Sequence, residues 1–269
     1  MKIRPHTPEW YDRLSTLQHG YFYPWKSRIA PGNGEEAYLH LVHQYLTPEK
    51  DVLDVGCGHG EVALELAPHC RSILAYDRVE RYIQIAQEVA REKNVENITY
   101  VCFDSSDEFN NGAARIPAET QSFDLMISRR GPLHWLEDAR RVARPGAILI
   151  QLNPLETPLP PWANRLPEPL RSAAGIESQT GMLNSVKYRL ELGGLALQSA
   201  WTYDVPEFLD DPHELYTRLS WGYIPGEVPS WDDVRSIIEQ IFSDYSTEPD
   251  GLVMRHTRLL WTAFVKTKS

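Results

Sequence analysis

The ten residues Asp51-Val52-Leu53-Asp54-Val55-Gly56-Cys57-Gly58-His59-Gly60 leave this chain few folds. Apolar side chains on both faces of the first half predict a strand buried inside a parallel sheet. The glycines let the backbone turn sharply and approach a ligand closely, because no Cβ intervenes. A helix then opens over Glu61–Ala67, and the free N–H groups of its first turn face whatever sits at the loop. Such a strand, loop and helix put a nucleotide-like ligand at the carboxyl end of a parallel strand. A dinucleotide fingerprint would have its third glycine where Glu61 stands, so the spacing opposes a nicotinamide site.

The next strands repeat the pattern. Ser72–Asp77 is an apolar run ending in an acid, about twenty residues past the first glycines, where such folds place a carboxylate on ribose hydroxyls. Asp77 also suits the cap of the following helix, Val79–Lys93, and both roles stay open. That helix carries Tyr82, Ile83, Ile85, Ala86, Val89 and Ala90 on one stripe. Ile98–Phe103 is a third strand ending in Asp104-Ser105, and residues 106–121 read as a loop with one helical turn. Ser122–Ser128 is a fourth strand. Arg129-Arg130-Gly131-Pro132 follows it, an arginine fork suited to a carboxylate or phosphate. His134 precedes a helix that buries Trp135, Leu136, Ala139 and Val142, and its ring suits proton transfer near neutral pH. Arg144-Pro145-Gly146 turns into a fifth strand, Ala147–Leu152.

The run D-V-G-C-G-H-G, the F-D-L strand at Phe123 and the R-P-G-A turn at Arg144 resemble the class I S-adenosylmethionine-dependent methyltransferases. The resemblance covers about residues 35–153. It implies S-adenosyl-L-methionine as cofactor. Asp54, Gly56, Cys57, Gly58 and Gly60 would hold its methionine end, Asp77 and Arg78 its ribose, Asp104 and Ser105 its adenine, with Ser128 beside them. It also implies that Arg129 and Arg130 stand where the methyl group is transferred.

Outside that region the reading rests on pattern. Thr7 caps a short helix running to Gln18, with Pro8 at its first position. The aromatic stretch Tyr21–Arg28 is either a lid over the cofactor, whose sulfonium an aromatic face stabilises, or a plug against the sheet. A helix from Asn33 or Gly34 to Tyr45 puts His40 and His43 on one face without further metal ligands nearby. Residues 154–169 hold six prolines and predict neither an ordinary helix nor a central strand. A helix over Thr180–Leu192 and a sixth strand, Leu195–Asp204, follow. Residues 205–227 read as an inserted cap whose helix starts at Asp211-Pro212. Ser230 and Asp233 form a capping pair for the next helix. Leu252–Val265 is the last strand, with no helix after it. That matches the antiparallel strand that sets class I methyltransferases apart from nicotinamide-binding relatives.

The expected fold is therefore α/β. It has a doubly wound, mostly parallel seven-stranded sheet with an antiparallel last strand, an N-terminal lid and an inserted helical cap. The expected divisions are 1–32 for the lid, 33–153 for the cofactor core, 154–204, 205–227 for the cap, and 228–269 completing the core. A net charge of −10 opposes a partner held through phosphates. Cys57, Cys70 and Cys102 form no C-x-x-C pair, so neither a zinc site nor a disulfide framework is expected. Residues 1–6 hold no apolar signal core and no long apolar run follows, which predicts a cytoplasmic protein with no membrane partner. The expected activity is methyl transfer to an O, N or C atom of a small molecule. His134 and Tyr23 are candidate bases; Trp25, Trp162, Tyr216 and Trp221 are candidates for the substrate site, the cap aromatics either walling a pocket or forming the core of the cap. An RNA methyltransferase and a cofactor-binding protein without transfer are the rivals.

Overall fold

The computed structural model describes residues 3, 6–171, 178–247 and 250–265. Met1, Lys2, Arg4 and Pro5, part of the stretch read above as lacking a signal core, lie outside the described residues. In chain order the elements begin with α1 (Pro8–Leu17), β1 (Arg28–Ile29), α2 (Gly34–Tyr45), β2 (Asp51–Val55), α3 (Glu61–Leu66) and β3 (Ser72–Asp77). They continue with α4 (Glu80–Glu92), β4 (Ile98–Cys102), β5 (Phe123–Arg129), α5 (Leu136–Val142) and β6 (Ala143–Pro154). The last are α6 (Glu168–Arg171), α7 (Gln179–Leu192), β7 (Leu195–Leu209), α8 (Pro212–Leu219), α9 (Trp231–Tyr245), β8 (Ser246–Thr247) and β9 (Gly251–Val265).

Two compact units divide the chain. One comprises residues 34–154, 179–202 and 258–269, and the other residues 1–33, 155–178 and 203–257. The first is the α/β unit. Its strands lie in the order β7-β9-β6-β5-β2-β3-β4. β6, β5, β2, β3 and β4 run parallel, while β9 is antiparallel to β6, with Ile148 opposite Phe264 and Leu152 opposite Leu260. These are the seven expected strands with their reversed last one, and the sheet has nine, because β1 adds to β7 and β8 to β9. Val52, Leu53, Leu125, Met126, Ile127, Leu149 and Ile150 are all buried, as strands covered on both faces require. Parallel strands put their carboxyl ends along one edge. The loops after β2, β3, β4 and β5 therefore gather there.

The turn expected at Arg144-Pro145-Gly146 is a bulge inside β6. Phe123 pairs with Ala143, and two residues later Leu125 pairs with Ile148, so the extra residues loop outward.

The second unit packs Trp162, Leu166 and Leu170 with Leu209, Leu215, Val234, Ile238, Ile241, Phe242 and Leu252. β7 runs past the expected end at Asp204 and reaches this unit. Pro206 lacks an N–H, and its carbonyl accepts from Ala30 N at 2.9 Å, so the pairing with β1 continues there through one hydrogen bond where an ordinary residue would make two. Thr7 caps α1, and Asp211 caps α8 by accepting from His213 N. α8 stops at Leu219, so Trp221 and Tyr223 lie beyond its end. Ser230 and Asp233 form a complete capping box on α9. Ser230→Ala is expected to lower stability by about 1 kcal/mol, read as a shift in urea midpoint at unchanged slope.

Candidate functional site

The loop after β2 runs through Gly56, Gly58 and Gly60, with φ of 66°, 54° and 81°. These left-handed turns reverse the chain within five residues, and glycine adopts them without a Cβ clash. Gly56 N and Cys57 N both reach Tyr76 O, at 2.9 and 3.1 Å, which ties the loop to the end of β3. Asp77 completes the tie. One carboxylate oxygen accepts from Gly58 N and the other from Val79 N, each at 2.9 Å. Of the two roles left open for Asp77, the structure shows the one at the start of α4, and it adds a third, holding the glycine loop. Each oxygen keeps a lone pair for a ligand hydroxyl. Burial raises its pKa, against the pull of those backbone donors.

Asp54 is buried, and its Oδ2 has no hydrogen-bond partner among the described residues. Burial pushes its pKa up to about 7, with the charge of Asp77 adding and that of Arg129 opposing. Cys57 faces the same surroundings, and burial pushes its thiol well up. A raised thiol pKa disfavours the nucleophilic thiolate form.

The loop after β5 lies against the glycine loop. A Cβ on Gly56 would stand 3.3 Å from Gly131 Cα, and one on Gly131 would strike Ser128 Oγ and the Val55 carbonyl. Only glycine at 131 lets the two backbones approach so closely. Gln151 shapes this loop, donating to Gly131 O at 3.0 Å and Pro132 O at 3.1 Å while accepting from Trp135 Nε1. Arg130 pays with a φ of 66°, uncommon for a non-glycine residue.

Several side chains expected to face a ligand are committed inside the protein. Ser128 is buried and donates to Val55 O at 2.8 Å, clamping β5 to β2. Ser105 is buried, accepts from Tyr76 OH at 3.1 Å and lies 2.9 Å from His134 Nε2. Arg129 pairs with Glu61. Arg78 pairs with Asp104 at 3.2 Å. Burial pushes the Asp104 carboxyl up, but hydrogen bonds from Ser106 and Arg78 outweigh it and hold it below its usual value. His134 is shifted down by burial, against the attraction of Asp104, so its ring is neutral near pH 7.

The aromatic candidates belong to the second unit. Trp162 is part of its apolar core rather than a pocket wall, because the proline-rich segment folds it inward. Tyr216 packs against that core and donates to Pro229 O at 3.1 Å. Tyr23 stacks on Trp25 with ring centroids 4.6 Å apart, and Trp221 stands edge-on to both. Trp25 Nε1 donates to Glu207 at 3.1 Å, and the Arg218 guanidinium lies over its ring. Among the described residues no group of three or more His, Cys, Asp or Glu could hold a metal ion. No helix there is long and apolar enough to cross a membrane.

Comparison with known proteins falls on the same region. A methyltransferase domain family matches residues 52–146. The uncharacterized methyltransferase YcgJ of Bacillus subtilis is 29% identical over 119 residues, which is 44% of this chain and 43% of that protein's length. The structure of a functionally unknown protein from Deinococcus radiodurans R1 superposes with a TM-score of 0.63 at 22% identity, covering 95% of this chain and 98% of that one. A SAM-dependent methyltransferase from Geobacter sulfurreducens, solved in complex with S-adenosyl-L-homocysteine, gives 0.51 at 16% identity, over 97% and 99% of the two chains. Glycine loop, sheet order and family match agree: residues 52–146 match a methyltransferase domain, set in the sheet order that the resemblance to the class I, S-adenosylmethionine-dependent enzymes implies.

Proposed function

We propose that this protein transfers the methyl group of S-adenosyl-L-methionine to an O, N or C nucleophile on a small molecule. The observation that carries this is the triple left-handed glycine loop set between the half-buried Asp77 and the buried Asp54, whose Oδ2 is unpartnered among the described residues. The residues fit the cofactor. Asp54 Oδ2 lacks the donor that an ammonium group supplies, and Asp77 retains acceptor capacity for ribose hydroxyls. Asp104, kept ionised by Ser106 and Arg78, is an acceptor suited to an adenine amino group.

When bound, the cofactor supplies an electrophilic methyl group on a sulfonium. What the chain's own residues contribute is mainly position. The backbones at Gly56 and Gly131 approach closely enough to fix the two loops against each other. His134 is the acid–base candidate in this unit. With Nε2 held at Ser105, it takes up a proton at Nδ1 only in the tautomer whose Nε2–H donates to Ser105.

A small-molecule acceptor fits the charges better than RNA. Of the arginines that would make a basic groove, Arg129 pairs with Glu61, Arg165 with Asp244 and Arg171 with Glu168. Calorimetric titration is expected to give micromolar binding of S-adenosylmethionine and S-adenosylhomocysteine and no binding of NADH. Asp77→Ala should weaken both sulfur compounds about tenfold or more, because the ribose acceptor and the tie to Gly58 go together. Binding of NADH alone overturns the cofactor reading. Turnover on tRNA or rRNA, with none on a panel of hydroxy, amino and carboxylate compounds, overturns the substrate class.

A further inference from the structure

A second orphaned polar atom lies near Asp54. Tyr38, on α2, is fully buried, and its hydroxyl has no hydrogen-bond partner among the described residues. Such a group costs stability unless something satisfies it. Its helix is firmly placed. A Cβ on Gly34 would meet Arg258 Cβ at 2.6 Å, and Glu35 pairs with Arg258 at 3.0 Å. Tyr38 follows one turn later, so its ring projects from a fixed backbone.

The surroundings of the hydroxyl are ionic. The charges of Asp54, Arg129, Glu35 and Arg130 all act on it, after burial itself, and its pKa is raised well above the usual tyrosine value. A phenol donor and a carboxylate acceptor within electrostatic reach would satisfy each other if they were built for that. Neither does: the Tyr38 O–H and Asp54 Oδ2 are both unpartnered. A buried donor under the influence of two arginines and a buried acceptor, both unpartnered among the described residues, match in polarity the two poles of an α-amino acid.

We propose that the Tyr38 hydroxyl donates to the carboxylate at the amino-acid end of the cofactor, while Asp54 Oδ2 accepts from its ammonium. The inference rests on the cofactor reading above and assigns within it a residue that the motif does not contain. Arg129 and Arg130 add attraction for the carboxylate without making the contact specific. Tyr38 is thereby a binding residue, and the strain of an unsatisfied buried hydroxyl in the free protein is relieved on binding.

The test compares wild type with Tyr38→Phe, using S-adenosylhomocysteine and 5′-methylthioadenosine, which lacks the amino-acid end. Calorimetry gives the affinities and thermal unfolding the Tm of the free proteins. Tyr38→Phe should bind S-adenosylhomocysteine about tenfold more weakly and methylthioadenosine equally well, with a Tm no lower than wild type. A packing role for the hydroxyl would lower Tm and weaken both ligands together, which overturns the proposal. Unchanged S-adenosylhomocysteine affinity overturns it too, since a water bridging the two atoms would then suffice. If wild-type protein binds neither compound, the cofactor reading itself falls, a result distinct from the loss of selectivity in the variant.

Discussion

Gly60→Ala is expected to destabilise the protein by about 3 kcal/mol and to abolish cofactor binding. Two costs add. Gly60 has a φ of 81°, where a Cβ costs about 1–2 kcal/mol. The new Cβ would also stand 2.5 Å from Tyr100 Oη and within 2.9 Å of two ring carbons. Tyr100 is itself buried, and its hydroxyl donates to Gly60 O at 3.4 Å, so the ring cannot swing aside freely. Displacing a packed ring costs roughly 1–3 kcal/mol. Urea denaturation of Gly60→Ala, Tyr100→Ala and the double variant separates the terms. In the Tyr100→Ala background the glycine substitution should cost only the φ part, about 1–2 kcal/mol. An equal cost in both backgrounds would show that the ring contact contributes nothing.

Asp54→Asn is expected to do the opposite to stability while also weakening binding. The Asp54 proton is held in the folded protein up to about pH 7 and released in the unfolded chain near pH 4. Between those values the folded state binds more protons than the unfolded one, so stability falls as pH rises. A shift of roughly three units corresponds to about 4 kcal/mol, fully lost above pH 7. Asparagine has no charge to bury. The variant should match wild type near pH 4 and exceed it by about 2–4 kcal/mol at pH 8. Its affinity for S-adenosylmethionine should fall about tenfold or more, since a charged hydrogen bond is lost. Unfolding at pH 4.5 and pH 8, with calorimetry at pH 8, checks both arms. A stability difference independent of pH would mean that Asp54 ionises as an ordinary carboxylate.

The legible part of this molecule was whatever a short local pattern dictates. The strand before Gly56 and the acids Asp77 and Asp104 at strand ends are local. So are the caps Thr7, Asp211 and Ser230, and all appear where the pattern put them. What escaped depends on partners far along the chain. Tyr38 sits among the apolar positions of α2, where a tyrosine reads as core; only the absence of a partner for its hydroxyl marks it out. Gln151 and Gly131 matter through contacts with each other and with Gly56. Trp162 stood open between pocket wall and cap core, and the apolar surface of α9 takes it inward. β7 continued through Pro206 because β1 pairs there, a partner nearly two hundred residues earlier. The sheet edge and the glycine loop were therefore foreseeable, and the fates of individual aromatic and ionic side chains were not.

The second unit is assembled from three separated stretches, 1–33, 155–178 and 203–257, while β7 and β9 each thread through both units. During synthesis its earliest stretch, with Trp10 and Leu14, has no complete partner until the ribosome has made residues past 250. More than two hundred residues, most of the α/β unit among them, are translated in between, which at typical elongation speeds takes on the order of ten seconds or more. The N-terminal aromatics thus spend that interval exposed, as a target for chaperones that bind apolar segments. The same layout means that no single cut of the chain removes one unit and leaves the other intact. Moving the N-terminus by circular permutation, so that residues 1–33 are made last, is the rearrangement that would shorten this wait.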